Sequence, residues 1–313
     1  MTPSPKARNL PKIGRSPKEV QFTLMTRDLT ILQALGRYRY LRTGQIARLV
    51  FPDAKTVQSA RRRLKYLYHA GYVGRIQPMT DSALGHAEMA YYLERAGAEM
   101  LEDDNLPRFS SKGLVKPQFL RHALEVSEAR LCLEQAVATA PGVDLHRVVM
   151  DHELKARTEE AVGRRRYRLF DEVQDPIGKR KLVVHPDLMF VLKAEAAPGR
   201  VFQRLFFVEI DRGTEGLRVI SDKLTGYHLY RREAVFKKFG AFDGFRLLLQ
   251  TNSAKRTANF AKLLETFGSD LDAWVTEDRL VSSTTLLHGD IWQRAGHNAL
   301  VPILKGGPTE AAR

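Results

Sequence analysis

The sequence predicts an α+β chain of more than one domain, and three observations carry that reading. The chain has 313 residues, 43% of them apolar, enough to bury two cores. Its first hundred residues hold three helical periods and then a pair of short strand-like runs. From about residue 119 the order changes to helix, three strands, helix, strand, an α/β arrangement.

The elements follow in order. "MTPSPKARNLPKIGRSPKEV" scatters Pro among Lys and Arg without an apolar period and reads as a disordered basic tail. A first helix begins at "MTRDLTILQALGRYRYL", with Thr26 as N-cap, Asp28 in the positive first turn and Gly36 as its end. A second, "RTGQIARLVFP", takes Thr43 as cap, buries Ile46, Leu49 and Val50, and stops at Pro52. In the third, "AKTVQSARRRLKYLYHAGYV", Val57, Ala60, Leu64 and Leu67 recur at helical spacing and face a core. Arg61, Arg62, Lys65, Tyr66 and His69 are left outside, and Gly71 ends the helix. "YVGRIQPM" and "AEMAYYLE" are two strands, and "RAGAEMLE" is a short closing helix. Three helices and a two-stranded ribbon make a winged helix-turn-helix, in which the third helix enters the major groove of DNA.

The second domain opens with a helix to about Ala138 and a strand around "LHRVVMDHEL". A basic turn "GRRRYRLF" and the strands "KLVVHPDLMFVLK" and "RVFQRLFFVEID" come next. A long helix from Thr214 to Phe239, the strand "FRLLLQT", the helix "AKRTANFAKLLETF" and a last strand "RLVSSTTLL" complete it. The predicted organisation is a tail at 1–20, the winged helix at 21–102 and a linker at 103–117. The α/β domain spans 118–300, with a flexible tail at 301–313.

Charge points to the partner. Fifty Lys and Arg against 36 Asp and Glu give a formal charge of +14, and a chain this basic is drawn to polyanions, double-stranded DNA above all. No run approaches the roughly 20 apolar residues of a membrane span. The lone Cys132 excludes an internal disulfide or a Cys-rich zinc site, and a cytoplasmic location is expected. On the third helix, Arg62, Lys65 and Tyr66 are the candidate base or phosphate readers, with Arg61 and Arg63 flanking them against phosphates.

The α/β domain supplies a second candidate site. In "FFVEIDRGTE", Glu209 and Asp211 stand two apart on a strand, so they share a face. Their repulsion calls for a cation, a basic neighbour or a strand end open to solvent. Asp187 follows Pro186 at the head of the preceding strand. This pattern, with the order helix, three strands, helix, strand, resembles restriction-endonuclease-like domains carrying the PD…(D/E)xK signature. The resemblance implies that Asp187 and Glu209, with Asp211 beside them, hold Mg²⁺, which takes oxygen ligands. Asp211 stands where that signature has Lys. Some branches carry the Lys on the following helix, and Lys223 is the candidate, beside a packed face of Leu217, Ile220, Leu224 and Tyr227. Glu125 and Glu128 of the first helix are further candidate acids, read first as surface residues; His122 and His185 read as structural.

Both halves together resemble the replication-relaxation family of plasmid and mobile-element proteins. The resemblance rests on "LMTRDLTILQALGRYRYLRTGQIARLVF", "ARRRLKYLYHAGYV", "YYLERAGAEML", "HPDLMFVL" and "FFVEIDRGTE…KLTGYHLY", within residues 21–251. It implies a DNA-binding role in replication, relaxation or transfer. Three readings stand: a DNA-binding protein whose nuclease-like domain clamps DNA or recruits a relaxase or replication protein, a Mg²⁺-dependent endonuclease, and a transcription regulator of a mobile element.

Overall fold

The computed structural model describes residues 10–11, 14–16, 20, 22–51, 56–78, 88–101, 115–150, 170–197 and 200–304. The chain divides into two compact units, 1–128 and 129–313. The division falls eleven residues past the predicted linker, most of which (103–114) lies outside the described residues, as do the basic turn at 163–169 and residues 305–313.

In the first unit, α1 (Thr26–Tyr38), α2 (Thr43–Val50) and α3 (Thr56–His69) precede the strands β2 (Val73–Ile76) and β3 (Ala90–Leu93), then α4 (Arg95–Glu99). A two-residue strand β1 (Leu41–Arg42), absent from the prediction, pairs with β3 and makes a three-stranded antiparallel sheet of order β1-β3-β2. Ile31, Leu32, Leu35, Leu41, Ile46, Ala60, Leu64 and Leu67 have no exposure and form the core. Each large aliphatic side chain withdrawn from water contributes about 1.5–3 kcal/mol.

Several local expectations are corrected. Thr26 and Thr43 are first helical residues, and Met25 and Arg42 hold the cap positions. The side chains of Asp28 and Gln45 accept the backbone N–H groups of Met25 (2.8 Å) and Arg42 (2.7 Å), so the carboxylate and amide three residues on do the capping. Gly36 lies buried inside α1, which runs on until Arg39 turns to a positive φ of 70°. Val57 is 36% exposed rather than in the core.

The N-terminal segment also departs from expectation. Leu10 and Val20 are buried, and the described residues between them run against α3. His69, expected on the surface, is buried between Ser16, whose N–H donates to Nδ1 (2.9 Å), and the Pro11 carbonyl, 3.2 Å from Nε2. That pairing requires neutral His69 with its proton on Nε2. Burial lowers its pKa below 6.5, with Arg75, Lys65 and Arg15 adding to the effect against the Pro11 hydrogen bond. The unfolded ring binds protons more readily, so this docking is strongest above pH 6.5 and weakens as pH falls. Limited proteolysis of the N-terminal segment is expected to be faster at about pH 5.5 than at about pH 7.5. Equal rates would remove His69 as its anchor.

The long helix α5 (Pro117–Ala138) leads into the second unit, whose seven-stranded sheet has the order β12-β11-β10-β9-β8-β7-β4. Here β4 is Val143–Met150, β7 Leu188–Ala197, β8 Arg200–Asp211, β9 Phe245–Thr251, β10 Ala273–Glu277, β11 Trp292–Arg294 and β12 Leu300–Val301. β4, β7 and β8 form an antiparallel meander, whereas β8, β9 and β10 run parallel. Parallel neighbours need a crossover, supplied by α6 (Leu217–Arg232) and α7 (Ala254–Glu265). Every residue of the central strand β9 is buried.

The predicted strand "KLVVHPDLMFVLK" is two strands. His185 and Pro186 separate β7 from β6 (Lys181–Val184), which pairs with β5 (Asp171–Gln174) in its own hairpin. α6 starts at Leu217 and ends at Arg232, shorter than predicted, because Ala234 takes a left-handed φ of 55° ahead of a 3₁₀ turn at Val235–Phe239. Leu217 is 47% exposed, not packed. "RLVSSTTLL" forms no strand: the Ser282 and Thr285 hydroxyls capture each other's backbone N–H groups and hold a turn. The last strands are β10, β11 and β12, and Ile303 and Leu304 are buried where a flexible tail was expected.

Candidate functional site

On α3 the basic residues divide into two sets. Arg63 is turned inward: its Nε donates to Asp28 Oδ1 (2.8 Å), its Nη2 pairs with Oδ2, and it also meets the Thr23 carbonyl. Asp28 is wholly buried, so this pair ties α3 to the start of α1. Lys65 donates to the Leu10 carbonyl (2.7 Å), and the Tyr66 ring stacks on Phe22 with centroids 5.4 Å apart. Arg61 and Arg62, with Gln58 a turn earlier, stay exposed. The five residues named from the sequence thus lie on one helix, with Arg61 and Arg62 facing solvent.

The second unit gathers its acids at the C-terminal end of β8. Leu205, Phe207 and Glu209 alternate onto the face that packs against α6, so Glu209 arrives in the core, 9% exposed. α6 reaches it twice from one side. Lys223 and Tyr227, four residues apart, place Nζ 3.5 Å and Oη 2.5 Å from the two Glu209 oxygens. Lys223 also pairs with Glu215 at 2.9 Å. Burial, aided by the charge of Asp187 and opposed by Lys223, pushes the Glu209 pKa up to about 7. The Glu209 carboxylate in turn holds Lys223 charged, and burial keeps the Tyr227 hydroxyl protonated as a donor. A carboxyl poised near neutrality can exchange a proton or bind a cation.

Asp187, just before β7, accepts the Ile210 N–H at 2.8 Å and thereby pins the end of β8 beside it. Asp211 is engaged differently. Both of its oxygens face the Arg256 guanidinium of α7 (2.6 and 2.9 Å), which also grips the Glu215 carbonyl. The turn between is tight: Gly213 has a φ of +72°, and a Cβ there would lie 2.8 Å from the Asn252 amide. Glu209, Asp211, Glu215, Lys223 and Tyr227 line a cavity of about 20 Å³, room for about one water.

The structure therefore brings Asp187, Glu209 and Lys223 together and gives Asp211 to Arg256. Among the described residues, no three His, Cys, Asp or Glu side chains group to hold an ion. Glu128 belongs elsewhere, bonded to Gln45 and Arg48, and Glu125 is half-buried on α5. His185 packs against Phe170. Sequence reasoning missed Glu215, Arg256 and the hydroxyl of Tyr227. A signal for Arg256 existed: Lys255 and Arg256 open a helix capped by Ser253, where the dipole disfavours cations, so a local acid was required.

Residues 32–244, which include α3, Asp187, Glu209 and Lys223, match the sequence model for Replication-relaxation. The chain belongs to the replication-relaxation family. No curated protein and no solved structure matches it. Family membership thus covers the candidate DNA face and the acids of β8, while Asp28 and Arg256 lie beyond the matched residues. Among the described residues, this replication-relaxation protein has no helix long and apolar enough to cross a membrane.

Proposed function

We propose that this replication-relaxation protein binds double-stranded DNA of a plasmid or mobile element, acting in its replication, relaxation or transfer. The observation that carries the reading is the pair Arg61 and Arg62, exposed on an α3 whose other contacts are internal. The order of three helices and an antiparallel ribbon supports a winged helix, with α3 as the groove helix. Arg61 and Arg62 read bases or phosphates, whereas Arg63, Lys65 and Tyr66 position the helix. The double variant Arg61→Ala, Arg62→Ala should lose at least about tenfold in duplex affinity, measured by fluorescence anisotropy, while melting like the parent. Unchanged affinity would remove α3 from the interface.

A second reading, a Mg²⁺-dependent endonuclease, is favoured by the convergence of Asp187, Glu209 and Lys223. The order of helix, antiparallel strands, helix and parallel strand around them supports a restriction-endonuclease-like reading. Asp187 and Glu209 would hold the ion, since Mg²⁺ accepts one or two carboxylates when phosphate oxygens and water complete its shell. Bound there, it would polarise a phosphodiester and acidify a water. Asp211 falls outside this set because Arg256 occupies both oxygens. Supercoiled plasmid incubated with Mg²⁺, Mn²⁺ or chelator decides the matter. Metal-dependent nicking lost in both Asp187→Ala and Glu209→Ala makes the protein a nuclease; intact plasmid that is still bound leaves the second unit as a scaffold for DNA or a relaxase.

A further inference from the structure

At the other end of the second unit's sheet, three arginines stand in a row on three strands. Arg204 of β8 and Arg246 of β9 both meet Asp272, which precedes β10. Arg246 lies 3.6 Å above the Trp274 ring of β10, and Arg294 of β11, the direct cross-strand partner of Trp274, approaches the same ring at 5.7 Å. Successive strands are about 4.8 Å apart, and the register sets Arg294 level with Val208, four residues along β8 from Arg204, so the row runs diagonally across the sheet over roughly 20 Å of backbone. Arg204 and Arg294 are exposed at its two ends, and Arg246 is nearly buried between them.

This row is separate from the acidic cleft. Glu209 is five residues along β8 from Arg204, roughly 17 Å, and the odd spacing turns the two to opposite faces of the sheet. Among the described residues the charge is unbalanced, with Asp272 the carboxylate paired to Arg204 and Arg246 and Arg294 standing beside them. Burial, with Arg204 and Arg294 adding to it against Asp272, lowers the Arg246 pKa to about 10. A sheet that buries one arginine on an indole and sets two more beside it is short of negative charge at that spot. Anions of matching spacing would supply it, and guanidinium groups fit phosphate oxygens.

We propose that Arg204, Arg246 and Arg294, backed by Trp274, form a phosphate-binding row that takes the phosphodiester backbone of a nucleic-acid strand. This contact is additional to the duplex face of α3 and does not depend on it. A row of cations over one aromatic ring suits a strand better than a lone ion, because successive phosphates engage successive arginines.

Trp274 provides the readout, since it and the fully buried Trp292 are the chain's two tryptophans. Titrating the full chain with a short single-stranded oligonucleotide should change tryptophan emission, and Trp274→Phe should abolish that change. The exposed pair Arg204→Ala, Arg294→Ala should weaken the titration at least about fivefold and make its salt slope shallower by about 1.4, two phosphates at about 0.7 each. The Arg61→Ala, Arg62→Ala chain should keep the emission change, which separates this row from the duplex face. A titration of unchanged affinity and salt slope in Arg204→Ala, Arg294→Ala, or an emission change that vanishes in Arg61→Ala, Arg62→Ala, would overturn the proposal. Inorganic phosphate acting at the same concentration as the oligonucleotide would also overturn it, by showing a single-anion site.

Discussion

Asp28→Ala is expected to destabilise the first unit by about 3–5 kcal/mol, lowering its melting temperature by about 10–20 °C. The carboxylate is wholly buried, and it serves two partners at once: the Met25 N–H at the start of α1 and the Arg63 guanidinium of α3. Removing it leaves the nearly buried Arg63 without its counter-charge, and an uncompensated buried charge is what makes half-broken pairs costly. Arg63→Ala should be of similar size for the converse reason. Asp28→Ala with Arg63→Met should recover part of the loss, because neither charge is then stranded. A loss below about 1 kcal/mol for Asp28→Ala would mean that the pair is solvated in solution and does not fix α3.

The second large effect is a pH dependence. Glu209 titrates near 7 in the folded unit against 4.5 for the free side chain, so the native state binds the proton more tightly. A raised carboxylate pKa adds stability below the unfolded value and loses it as pH climbs through the folded one. Between about pH 4.5 and 7 the second unit should therefore lose about 3 kcal/mol through this group. Lys223, raised by Glu209, titrates far above that window and does not mask it. Glu209→Gln should flatten the profile, since the amide can still accept from Tyr227 and Lys223 keeps Glu215. The variant should be more stable than the parent above pH 7, as expected where a buried charge serves function rather than stability. Parallel profiles for parent and variant in denaturant melts across this range would show that Glu209 is not the titrating group.

Much of this was legible from periodicity. The helical spacing of Ala60, Leu64 and Leu67 located α3, and the apolar run ending in Glu209 located β8. Other features left no local trace. Asp28 looked like a first-turn acid because its partner, Arg63, is 35 residues away, and burial depends on that distant contact. For the same reason Arg63 and Lys65 read as surface cations: their acceptors lie on the N-terminal segment and on α1. β10 was missed since "AWVTE" is buried almost throughout beside β9 and shows no alternation, and the longer run "RLVSSTTLL" took its place. Lys223 was found by its position at the edge of a packed face, yet the engagement of Asp211 by Arg256, 45 residues on, was not.

Whether α3 presents Arg61 and Arg62 to duplex DNA is read from the salt dependence of duplex affinity for the full chain and for Arg61→Ala, Arg62→Ala. Log affinity should fall linearly with log salt for the parent, with a slope shallower by about 2 for the variant, one unit for each lost phosphate contact. Identical slopes and affinities for the two chains would contradict it.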